Sequence, residues 1–130
     1  MQDADGTKLR SGEPLSGLAP LLKAIPPEAI PINCATPEAI TQGLGTLMDF
    51  GLPFGAYANG FTRISEGFLV PAATVDALER RHDLSPTAYA AAAMRWIGDG
   101  ATIVGGCCEV GPDHIAELAR RIREAGHDIV

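Results

Sequence analysis

The sequence predicts an α/β fold built from parallel βα units, and three observations carry that prediction. Short apolar runs alternate with amphipathic segments along the chain. Two of the amphipathic segments open on Thr-Pro or Ser-Pro, which are strong helix starts. The apolar runs lack the polar alternation of a half-exposed strand. Alternation of helix and strand implies right-handed crossovers between parallel strands, and such strands are normally covered on both faces.

The elements follow in order. In "PLSGLAPLLKAI" (Pro14–Ile25), Leu15, Leu18, Leu21 and Leu22 recur at helical spacing, which predicts a first helix with those leucines inward. "AIPINC" (Ala29–Cys34) is a short strand ending in Asn33-Cys34. "TPEAITQGLGTLMDF" (Thr36–Phe50) reads as a helix capped by Thr36, with Pro37 at its first position and Glu38 at the positive end of the dipole. "PFGAYANG" (Pro53–Gly60) is a second strand, and Phe61–Pro71 reads as a loop. A short amphipathic helix is expected over Thr74–His82. "SPTAYAAAAMRWIGDG" (Ser85–Gly100) repeats the capped helix start and stops at glycine. "ATIVGG" (Ala101–Gly106) is the third strand. "GPDHIAELARRIREAG" (Gly111–Gly126) closes the chain as a helix with Ile115, Leu118, Ala119 and Ile122 on one face.

Bulk properties narrow the class. The chain has 130 residues, the size of one domain, and its 46% apolar content is ordinary for a globular protein. A net charge of -6 argues against nucleic acid or an anionic membrane as partner. The start "MQDADGTKLR" lacks the apolar core of a signal peptide, and no uncharged stretch reaches membrane length. A cytoplasmic location is the expectation. There the three cysteines, an odd number, read as metal ligands or reactive thiols rather than disulfides.

Those three cysteines all fall at strand ends. Cys34 closes the first strand, and Cys107-Cys108 close the third, where α/β folds place their active sites. Adjacent residues of a regular strand point to opposite faces, but Gly105-Gly106 permit a bend that brings both thiols to one side. Should the strands belong to a barrel, alternate strands feed one layer, and Cys34 reaches the level of the pair. Three thiolates with an open fourth position suit a catalytic zinc. Spacing alone leaves other readings open: cysteines packed as small hydrophobes, or a strained redox disulfide.

"PINCATPEAI" and "WIGDGATIVGGCCEVGPDHI" resemble the two zinc-ligand motifs of the homocysteine S-methyltransferase family, where one strand ends in Asn-Cys and the last in Gly-Gly-Cys-Cys before a Pro-x-His-Ile helix start. "DGTKLRSGEPL", the "YAN" strand and the tryptophan helix extend the likeness over nearly the whole chain. The resemblance implies zinc held by Cys34, Cys107 and Cys108, and methyl transfer to homocysteine giving methionine. Tyr57 and Asn59, ending the middle strand, would then border the substrate. It also implies that residues 1–130 are one domain, like the last three strands and helices of a (β/α)8 barrel whose full length is roughly 250 residues. Glu109 departs from the glycine the family usually has after Cys-Cys.

Two functional classes follow: a part of a zinc-dependent methyltransferase, or a zinc-holding module without transfer chemistry. In either, three strands leave a sheet face and two edges open, so a homo-oligomer or a partner chain completing the barrel is expected. The methyl donor is not legible. Of the remaining residues, His114 in a helix's first turn reads as structural, His82 and His127 as surface, and Trp96 as core. Arg120, Arg121 and Arg123, balanced by Glu117 and Glu124, read as a solvated helix face.

Overall fold

The computed structural model describes residues 5–62 and 78–130. A 3-10 turn (Leu15–Leu18) leads into α1 (Ala19–Ala24), followed by β1 (Ile30–Asn33), α2 (Pro37–Met48), β2 (Phe54–Ala58), α3 (Pro86–Gly98), β3 (Ile103–Gly106) and α4 (Pro112–Glu124). The strands form one sheet in the order β1-β2-β3, both pairings parallel. In register, Ile32 lies beside Ala56 and Ala56 beside Val104. The predicted α/β class with parallel βα units is therefore what the chain adopts.

The helix starts behave as their sequences require. The Thr36 hydroxyl accepts the Ala39 N–H at 3.3 Å, and the Ser85 hydroxyl accepts that of Ala88 at 3.2 Å. Each satisfies an amide that the first turn leaves without an internal partner. Between α2 and α3, the Trp96 indole N–H donates to the Thr41 hydroxyl at 2.8 Å. Trp96 itself is fully buried, in a core with Ile40, Leu44, Leu47, Tyr89 and Leu118.

Several expectations change. The first helix is split, because Pro20 lacks an amide hydrogen and its ring would strike the carbonyl four residues back. Helical geometry therefore restarts at Ala19, with the proline in its first turn. Leu15 is buried as expected, but Leu21 is 55% exposed. The helix expected over Thr74–His82 lies outside the described residues up to position 77. Its described part, Leu78–His82, is not helical. There the backbone is committed elsewhere: the Thr62 N–H bonds the Glu79 carbonyl at 2.9 Å, the Arg81 N–H bonds that of Gly60 at 2.8 Å, and Phe61 bridges Arg80. The loop expected from Phe61 begins with this bridge and then leaves the described residues.

In α4, Ile115 is 40% exposed while His114 and Leu118 are buried, so the inward face is turned by one residue. Burial on both faces holds for the central strand alone. In β2 four of five residues are buried, whereas β1 alternates, with Ile32 buried and Pro31 and Asn33 exposed. A strand with one neighbour and helices on one side keeps an open face. Among the described residues no helix is long and apolar enough to cross a membrane.

Candidate metal centre

The thiols stand where three strand ends meet. Cys34 follows β1 directly; its N–H donates to the Tyr57 carbonyl at 2.8 Å, which holds it level with the end of β2. Its φ of 58° lies in the left-handed region, uncommon for a side-chain-bearing residue. Beyond β3 the chain turns sharply. The Cys107 N–H bonds the Ala58 carbonyl at 2.9 Å, the Gly60 N–H bonds the Cys108 carbonyl at 2.9 Å, and the Val110 N–H returns to the Cys107 carbonyl at 3.1 Å. A side chain at Gly106 would run into Val110, so the glycine allows the turn to close.

The result is a triangle of sulfurs. All three Sγ atoms lie within 4.8 Å of one another, and those of Cys107 and Cys108 are 3.7 Å apart. None is in a disulfide. Tetrahedral zinc at a Zn–S distance of about 2.3 Å separates its sulfur ligands by about 3.8 Å. The vicinal pair already has that spacing, and the third thiol needs to move in by about an ångström at most. Three soft donors leaving one position open match a zinc site that accepts a fourth ligand from outside the protein.

Burial pushes the Cys34 thiol up to about 12; the hydrogen bond from Cys107 adds to this, and the Asn59 amide works against it. Cys108 is raised too, first by burial and then by its contact with Cys107. Without a counter-cation these thiols hold their protons. Neighbouring thiolates also repel one another.

Tyr57 and Asn59 take different positions. Asn59 is fully buried; its amide N–H2 approaches the Cys34 sulfur at 3.8 Å, and its side-chain oxygen accepts the Phe61 N–H at 3.1 Å. Tyr57 is half-buried and its ring lies over Gly105, where a Cβ would sit 2.6 Å from the ring edge. Glycine at 105 is thus what lets the ring lie across β3.

Glu109 has a φ of 64°, a conformation that glycine adopts without the steric cost a side chain incurs there. Its carboxylate pairs with Arg80 at 3.1 Å, with side-chain exposures of 32% and 61%. A pair that open to solvent is worth at most about 1 kcal/mol, less than the backbone cost can reach. Arg80 was not singled out by sequence, since the segment that delivers it is fixed by the bridge to Phe61. Tyr89 was missed as well: its hydroxyl donates to the Gly105 carbonyl at the end of β3. The alanine-rich stretch around it signals only a helix. His114 is structural as expected, with Nδ1 accepting the Gly111 N–H at 3.3 Å and Nε2 at 3.0 Å from the Leu84 carbonyl.

Comparison with known proteins shows the family to which the chain is similar. Residues 1–122 match the family model described as homocysteine S-methyltransferase. A curated relative, homocysteine S-methyltransferase 4 of Zea mays, is 26% identical over 127 residues, which cover 95% of this chain. The chain spans 35% of that relative's length.

Proposed function

Because the chain belongs to the homocysteine S-methyltransferase family, we propose that it supplies the thiol end of a site that transfers a methyl group to the sulfur of homocysteine, giving methionine. The observation that carries this reading is the sulfur triangle, with all three Sγ atoms within 4.8 Å. In the proposed site Cys34, Cys107 and Cys108 would hold zinc, leaving room for a thiol from outside the protein. Zinc held there would keep a thiol of ordinary pKa about 8.5 available as thiolate at neutral pH. Tyr57, half-buried on the open face of the sheet, borders the substrate and orients it. Asn59 is buried and its amide is engaged, so it acts on the substrate's surroundings through Cys34.

Equilibrium dialysis tests the substrate assignment. Zinc-loaded chain should retain about one homocysteine per metal, as a single open position dictates, and chelator-stripped chain should retain almost none. Equal retention with and without zinc would overturn it.

The share of the relative's length that is matched favours a second reading, a zinc-holding module without transfer chemistry. In both readings the chain works with a second copy or a partner chain. Support comes from the alternating exposure of β1 and from β3, which pairs on one side with β2. Leaving such a face in water is unfavourable at about 25 cal/mol per Å² of apolar surface. Light scattering on a size-exclusion column should therefore give a mass above the 13.6 kDa of one chain. A clean monomer at micromolar concentration would count against association.

A further inference from the structure

Two of the three thiols sit on a corner, Gly105–Gly111, that begins with two glycines and ends with a third. Glycine pairs fix no geometry by themselves, since each glycine populates both signs of φ readily. The spacing of Cys107 and Cys108 therefore depends on restraints from outside the corner. Backbone bonds to Ala58 and Gly60 hold its middle. Its two ends are held by side chains of the helical layer. The Tyr89 hydroxyl, from α3, donates to the Gly105 carbonyl. His114, from α4, accepts the Gly111 N–H on Nδ1, which puts its proton on Nε2, where it donates to the Leu84 carbonyl. Both residues are buried, and their rings meet edge to face with centroids 5.9 Å apart.

We infer that Tyr89 and His114 are positioning residues that clamp the two ends of this corner and thereby set the Cys107–Cys108 spacing for metal capture. The inference rests on the three-thiol reading of the site but assigns roles to residues that touch neither metal nor substrate. Buried polar partners of this kind hold a ligand-bearing segment in one arrangement, so that the ordering cost is already met before the metal arrives. Trp96 offers an internal contrast. It packs edge to face on Tyr89 at 6.2 Å and makes its own hydrogen bond to Thr41, away from the corner.

The experiment titrates the full chain with cobalt(II), read by thiolate-to-metal absorption, in wild type, Tyr89→Phe, His114→Ala, His114→Asn and Trp96→Phe. Expected are losses of cobalt affinity of about tenfold for Tyr89→Phe and His114→Ala, recovery in His114→Asn, whose side-chain oxygen can accept the Gly111 N–H, and a change within about twofold for Trp96→Phe. Wild-type affinity in Tyr89→Phe, or an equal loss in Trp96→Phe, would reduce both residues to general core packing and overturn the inference. The same variants are ranked with arsenite, which condenses with three thiols and releases water. A wild-type chain that takes arsenite but not cobalt overturns the metal reading alone, with the arsenite ranking then deciding on the clamp. Capture of neither overturns both.

Discussion

The Cys34→Ser chain is expected to emerge from purification with almost no zinc, against about one per chain for the wild type. Losing only an outer partner of a ligand commonly costs 10- to about 100-fold in metal affinity, so losing one of three ligands should cost more. Cys107→Ser and Cys108→Ser should behave alike, because the sulfur triangle has no fourth thiol to substitute. Equal metal content in wild type and Cys34→Ser would remove Cys34 from the site. Affinity should also rise with pH, and the sign follows from the thiols. Cys34 is pushed up to about 12 and Cys108 is raised, both chiefly by burial, so the metal-free site is protonated at neutral pH. Metal must expel those protons, and acid favours the protons. With at least two displaced, apparent affinity should climb by about two decades or more per pH unit between roughly pH 6 and 8. A flat profile would mean that these thiols are not the ligands.

Assayed by itself, the 130-residue chain is expected to bind zinc and homocysteine yet produce methionine slowly at best. Transfer needs the donor methyl held in line with the sulfur, and such positioning can supply about 7–11 kcal/mol of the barrier. The chain aligns with 35% of the maize relative's length. We propose that the groups that hold the donor lie in the remainder. Zinc activation alone leaves the encounter bimolecular, so slow alkylation of the bound thiol is the expected ceiling. The measurement is methionine formed from homocysteine with S-methylmethionine, S-adenosylmethionine, betaine or methyl-folate. Turnover near an ordinary enzymatic rate, about 1–1000 per second, would show that these 130 residues position the donor unaided.

Much of the architecture was written locally. Thr36-Pro37 and Ser85-Pro86 start helices because a hydroxyl cap and a proline without an amide hydrogen meet the needs of a first turn wherever they occur. The apolar runs at 29–34, 53–60 and 101–106 contain the three strands for the same reason: short runs bounded by turn residues need little beyond their neighbours. Cys34 and Cys107-Cys108 were legible as a group because all three end strands, and parallel strands bring those ends to one edge.

What the tertiary structure decided depends on partners distant along the chain. Leucine spacing predicts a continuous first helix, but Pro20, which has no amide hydrogen to give, splits it. Leu78–His82 has helical spacing, yet its backbone bonds go to Gly60 and Thr62, and a pairing across that gap leaves no local trace. The same applies to the site. That Asn59 turns its amide onto Cys34 while Tyr57 lies across Gly105 follows from how β1 and β3 flank β2. The grip of Tyr89 and His114 on the thiol corner needs α3 and α4 packed together. Residue types and their order settle which chemistry the chain can hold; the distances between the sulfurs, and the protons they keep when buried, arise only once the strand ends converge.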